Sequence, residues 1–102
     1  MTELDEVCRA LLRNGLIGIR TAASNGDVSW CKAEAEHLHN LPMLIGETDL
    51  TKHRCYVGIQ RQGYIEWLRS TDRADVKEFV AVMYMPYWQA LDRLLGLAGG
   101  AA

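Results

Sequence analysis

Leu4-Asp5-Glu6-Val7-Cys8-Arg9-Ala10-Leu11-Leu12-Arg13-Asn14-Gly15-Leu16-Ile17-Gly18-Ile19-Arg20-Thr21-Ala22 decides the fold. Leu4, Val7, Leu11, Gly15, Gly18 and Ala22 recur at helical spacing and make one seam, with Cys8, Leu12 and Ile19 beside it. Glu6, Arg9, Arg13 and Arg20 fall on the opposite face. Thr2 suits the N-cap, and Asp5 and Glu6 sit in the first turn, where the helix dipole favours anions. The rhythm predicts a helix over Glu3 to Ser24 whose seam ends in small residues, so that a neighbouring helix approaches closely there. The two glycines each cost about 1 kcal/mol of propensity relative to Ala. A turn at Asn14-Gly15 followed by a short strand over Leu16 to Ile19 therefore stays open as the other reading.

Outward from this segment the same periodicity returns three times. Ser24-Asn25-Gly26-Asp27 stops one helix and starts the next, Gly26 suiting the left-handed position and Asp27 the N-cap. A second, short helix is predicted from Val28 to Asn40, closed by Leu41-Pro42 because the residue before proline avoids the helical region. Met43-Leu44-Ile45-Gly46 reads as an apolar connector folded over one end of the core. Thr48 or Asp49 caps a third helix over Leu50 to Arg69. Ser70-Thr71-Asp72 then separates it from a fourth, over Arg73 to Leu95, bent at Pro86 and stopped by Gly96. Four helices with short connections predict an all-α chain, an antiparallel four-helix bundle with a short second helix. One domain over residues 1–96 and a flexible tail over 97–102 complete the expected layout.

The composition narrows the function classes. The chain has 102 residues, 49% hydrophobic and 24% charged, with thirteen acidic and eleven basic side chains for a net charge of −2. That is too apolar for disorder and not basic enough for nucleic-acid binding by charge alone. No stretch approaches the roughly 20 apolar residues of a membrane span. Cys8, Cys31 and Cys55 are an odd count with no C-x-x-C pair, and the acidic N-terminus has no secretory pattern. Reduced thiols in a cytoplasmic protein are expected.

Charge is unevenly placed. Residues 27–49 carry Asp27, Glu34, Glu36, Glu47 and Asp49 against Lys32 alone, and residues 50–69 carry Lys52, Arg54, Arg61 and Arg69 against Glu66. Complementary packing of the second and third helices is the expected use. A basic helix offered to a phosphate or an acidic partner is the rival, and nucleic acid is not the expected partner.

Several polar residues fall inside apolar arcs. On the third helix His53 and Gln60 lie among Tyr56, Val57, Tyr64 and Trp67. On the second, Glu34 lies near Trp30 and Leu38, with His37 one turn on. Glu34, His37, His53, Gln60, Tyr56 and Tyr64 therefore make either an internal hydrogen-bond network or the lining of a polar pocket. Glu34-x-x-His37 and Glu36-x-x-His39 have the spacing with which helical bundles hold paired metal ions. The two overlap on one helix and point apart, so one chain does not close such a site, and no metal or cofactor is expected.

The fourth helix holds the most apolar run, Phe79-Val80-Ala81-Val82-Met83-Tyr84-Met85-Pro86-Tyr87-Trp88. Its core contacts are expected from Val76, Phe79, Val80, Met83, Tyr87, Leu91 and Leu94. Val82, Met85, Trp88 and Tyr84 are left as interface candidates, most simply for a homodimer. No nucleophile elbow, phosphate loop or dinucleotide fingerprint is present. The expected function is thus non-enzymatic binding of an unidentified protein partner in an inhibitor, immunity-type or adaptor role. The alternative is a small-molecule- or metal-binding bundle with a polar inner pocket.

Overall fold

The computed structural model describes residues 2–97. Within them the chain is helical throughout, without a strand: α1 (Glu3–Ser24), α2 (Val28–Leu38), α3 (Leu41–Leu44), α4 (Leu50–Arg69), α5 (Ala74–Met83) and α6 (Met85–Leu95). Five of these are substantial helices and α3 is a single turn of four residues. The four-rod expectation is corrected at two places. α2 ends at Leu38, and Pro42 sits in the first turn of α3, where its missing N–H is not needed. The predicted fourth helix is divided at Tyr84, whose φ of −118° leaves the helical range. Pro86, next in the first turn of α6, offers no N–H to the preceding turn.

The caps explain the remaining boundaries. Thr2 Oγ1 accepts from the Asp5 N–H at 3.1 Å, Asp27 Oδ1 from Trp30 N–H at 2.9 Å, and Asp49 Oδ1 from Thr51 N–H at 2.9 Å. Gly26 and Gly96, at φ +66° and +69°, take the left-handed positions that end α1 and α6. Asp27 also pairs with Arg73, whose guanidinium lies over the Trp30 ring, so one carboxylate starts α2 and ties it to the start of α5. Asp27→Ala is expected to lower stability by about 1–2 kcal/mol, measured as a shifted urea midpoint at unchanged slope.

α1 and α2 form the tightest pair. A Cβ on Gly15 would lie 2.3 Å from Leu38 Cδ2, and one on Gly18 only 2.0 Å from Glu34 Oε2. The small residues of the seam thus serve the close approach that the sequence predicts, and Leu16 to Ile19 is helix, not strand. Leu41 and Leu44 close one end of the core from α3. The molecule measures 37 × 29 × 19 Å, and a 19 Å thickness is about two helix diameters. Every helix therefore keeps an outer side.

The division at Tyr84 changes which residues of the last segment face inward. α5 buries Val76 and Val80 as expected, but beyond the break the seam is Tyr84, Trp88, Leu91 and Leu95, with Tyr87 and Leu94 only partly covered. Leu91 keeps its expected inward place, and full burial passes from Tyr87 and Leu94 to Trp88 and Leu95. Of the predicted tail, Leu97 packs against the core and its N–H donates to the Asp92 carbonyl at 2.7 Å, while 98–102 lie outside the described residues. No helix among the described residues is long and apolar enough to cross a membrane.

Candidate functional site

Glu34 is the centre of the molecule's polar chemistry. Its side chain is fully buried, with Gly18 of α1 against Oε2. Tyr84 Oη, from the α5–α6 junction, donates to Oε1 at 2.6 Å, and Trp30 Nε1, one turn earlier on α2, donates to Oε2 at 3.2 Å. The same indole N–H reaches the Tyr64 hydroxyl oxygen of α4 at 3.3 Å. Burial pushes the Glu34 carboxyl up to about 7, against the lowering effect of hydrogen bonds from Tyr84, Trp30 and Tyr64. Burial beside this carboxylate raises both tyrosine hydroxyls, so they remain protonated donors.

His37 packs among aromatic rings, with centroids 5.0 Å from Tyr64, 4.8 Å from Tyr84 and 5.7 Å from Trp88. Burial, and then the Arg61 charge, lower its imidazole to about 4, so it is neutral at ordinary pH. Its Nδ1 is buried without a hydrogen-bond partner. Gln60 sits at the edge of this group. In the amide orientation that satisfies its neighbours, it donates to the His37 carbonyl and accepts from the Asn40 side chain and N–H, each at 3.0 Å.

The six pocket candidates therefore divide. Glu34, Tyr64 and His37 come together, with Gln60 beside them. His53 does not join: its Nε2 donates to the Glu47 carbonyl at 2.9 Å in the turn before α4, leaving Nδ1 unpartnered. Tyr56 is half-buried against the core and makes no hydrogen bond to this centre. Tyr84 and Trp88, expected at an exposed interface, are interior; the former is the strongest partner of Glu34. Sequence reasoning missed both because it carried one helical phase through Tyr84. With the break at Tyr84, the inward seam is Tyr84, Trp88, Leu91 and Leu95.

Of the interface candidates, Val82 and Met85 stay exposed, at 63% and 42%. Met85 lines a depression between α4 and α6 with Ile65, Gln62 and Gln89. Of the two aromatics, Trp88 shares with Met85 this depression, which Val82 does not line. Among the described residues no three His, Cys, Asp or Glu side chains are grouped to hold a metal ion. The Glu34 oxygens are taken by Tyr84 and Trp30, and Glu36 and His39 are exposed.

Above the buried centre lies a groove of about 470 Å³ between α2 and α4. Tyr64, Trp67 and His37 line it from below, Ala33 and Gly63 leave it room, and Lys32, Glu36 and Ile59 rim it. Trp67 Nε1 donates to Ser29 Oγ across it at 2.8 Å. The charges of α4 do not face α2, contrary to the complementary packing expected. Arg61 pairs with Asp92 at 2.7 Å, Arg54 donates to the Leu95 carbonyl at 2.7 Å, and Lys52 pairs with Glu47 at 3.0 Å. Three of the four basic groups of α4 are thus engaged within the chain. No protein-family model, curated protein or solved structure matches this chain, so its function has to be read from the geometry alone.

Proposed function

We propose that the chain is a binding module without chemistry of its own, and that its partner is another protein seated in the α2–α4 groove. The observation that carries this reading is the contrast between the groove and the centre beneath it. The polar atoms of Glu34 are turned inward onto Tyr84 and Trp30, whereas Trp67, partly exposed beside the buried Tyr64, gives the groove an aromatic wall that is rimmed by Ile59, 67% exposed. An aromatic wall with a mixed-charge rim is the composition of an anchor pocket for a partner's apolar side chain. A small molecule is the second reading, favoured by the groove volume, which falls in the range of about 300–1,000 Å³ usual for such sites. Self-association through the exposed Val82 and Met85 is a separate element of the proposal. So is a cytoplasmic setting, supported by three free cysteines, one of them exposed Cys55.

Gly63 supplies the test. A Cβ there meets nothing within 4 Å, so the side chain of Gly63→Leu starts from open space and is expected to fill the groove. Removing a mid-helix glycine is expected to raise stability by up to about 1 kcal/mol. A photo-crosslinker at Ile59 is expected to capture one protein from the source cell in equimolar amount, and Gly63→Leu to abolish that capture while melting no lower than wild type. Undiminished capture by Gly63→Leu, or no capture by wild type, overturns the groove as the protein-binding surface. Light scattering of Val82→Asp/Met85→Asp, against a wild-type dimer, tests self-association; a wild-type monomer at high micromolar concentration ends that part.

A further inference from the structure

The helix that covers Glu34 from the groove side buries the smallest share of its residues among the long helices. α4 buries three of its twenty residues, His53, Val57 and Tyr64. Toward α6 it is held by charged contacts, Arg61 on Asp92 and Arg54 on the Leu95 carbonyl. Toward α2 the described hydrogen bonds are neutral: Trp30 to Tyr64, Trp67 to Ser29, and Gln60 to His37 and Asn40. The other covers of the carboxyl are fixed. α1 meets it with the backbone at Gly18, and the α5–α6 junction is tied to α1 by Asn14 Nδ2 donating to the Met83 carbonyl at 3.0 Å.

We propose that loss of the Glu34 proton loosens α4 from α2 around Tyr64, so that water reaches the carboxylate through the α2–α4 groove. A carboxylate in this position has hydrogen-bond donors but no cation. From α1 it meets Gly18, from α2 Trp30 and, one turn on, His37, from α4 Tyr64, from α5 Phe79, and from the junction Tyr84. His37 is held neutral, and Arg61 bears on it rather than on Glu34. Arg73 lies on the Trp30 ring, committed to Asp27 and Asp75. A buried charge without a partner favours any opening that hydrates it, and the weakest cover opens first. Burial pushes this ionisation up to about 7, which places the device near neutral pH.

Exchange of the Trp30 indole N–H, followed by NMR, reads the opening, because that proton lies between Glu34 and Tyr64. In the wild-type chain it is expected to exchange through a local opening whose denaturant dependence is weaker than that of the α1 amides. Relative to Glu34→Gln, the opening constant is expected to rise about tenfold between pH 6 and pH 8, since the open form ionises near its ordinary value and the closed form near 7. Should Glu34→Gln fail to fold, His37→Gln keeps the carboxyl, removes the neighbouring imidazole and should show the tenfold rise directly. Indole exchange with the same denaturant dependence as α1, which means global unfolding only, overturns the proposal. So does an opening ratio that is flat across this range.

Discussion

Gly18→Ala is expected to lower stability by up to about 2 kcal/mol, although alanine is the better helix former. The added methyl would lie 2.0 Å from Glu34 Oε2, 2.9 Å from its Cδ and 3.1 Å from Phe79 Cζ. Removing glycine from a helix interior stabilises by about 1 kcal/mol, and the clash has to exceed that. Two ways of relieving it exist. If α1 and α2 move apart, the best-packed contact in the fold is lost, an overpacking cost of about 1–3 kcal/mol. If the carboxyl swings away, Tyr84 Oη loses its acceptor, at about 1–3 kcal/mol for a buried group left unpaired, and Trp30 Nε1 keeps only the Tyr64 hydroxyl. Gly15→Ala is the contrast, because its methyl would lie 2.3–2.7 Å from Cδ2, Cδ1 and Cγ of Leu38, an apolar side chain whose displacement breaks no hydrogen bond. A double-mutant cycle with Glu34→Ala checks the cause. With the carboxyl gone, Gly18→Ala should cost less by more than about 1 kcal/mol. Additive losses in urea unfolding would place the strain elsewhere.

That contact shows how far the sequence carries the fold. The glycines at positions 15 and 18 stand on the apolar seam of α1, and a seam of small residues already announces a close neighbour. The ends of α1 and α4 follow from local chemistry, Thr2 and Gly26 for one, Asp49 for the other, and local chemistry is legible from a few adjacent residues. What Glu34 touches is not local. Tyr84 is fifty residues away, and its inward position depends on a break whose phase shift no neighbouring residue states. Once the helix is taken to break before Pro86, Tyr84 and Trp88 fall inward while Val82 and Met85 stay outside. The basic residues of α4 illustrate the same limit. Their excess is visible in the sequence, but their use by α6 rather than α2 depends on how far α4 turns about its axis.

Stability should be nearly flat with pH in the wild-type chain between about 4.5 and 6.5 and steep, with opposite signs, in two single variants. Burial holds Glu34 near 7 in the fold against an ordinary 4.5, and holds His37 near 4 against an ordinary 6.5. For Glu34 the raised folded value means a contribution fully present below 4.5 and lost as pH rises to 7, because the unfolded chain releases the proton first. For His37 the lowered value means a contribution present above 6.5 and lost as pH falls to 4, because the unfolded chain binds the proton first. Across the shared window, folding moves one proton from His37 to Glu34, a charged pair of groups in the open chain becomes a neutral pair in the core, and the two slopes cancel. In Glu34→Gln only the imidazole remains, so stability should rise with pH by about 3 kcal/mol between 4 and 6.5. In His37→Gln only the carboxyl remains, so stability should fall by about the same amount between 4.5 and 7. The exposed carboxylates whose ionisation neighbours favour, Asp5, Glu47 and Asp75, are common to all three proteins and drop out of the differences. Urea unfolding at half-unit steps from pH 4 to 8 reads the three profiles. Parallel curves would mean that folding transfers no proton from the imidazole to the carboxyl, and the neutral core pair would have to be abandoned.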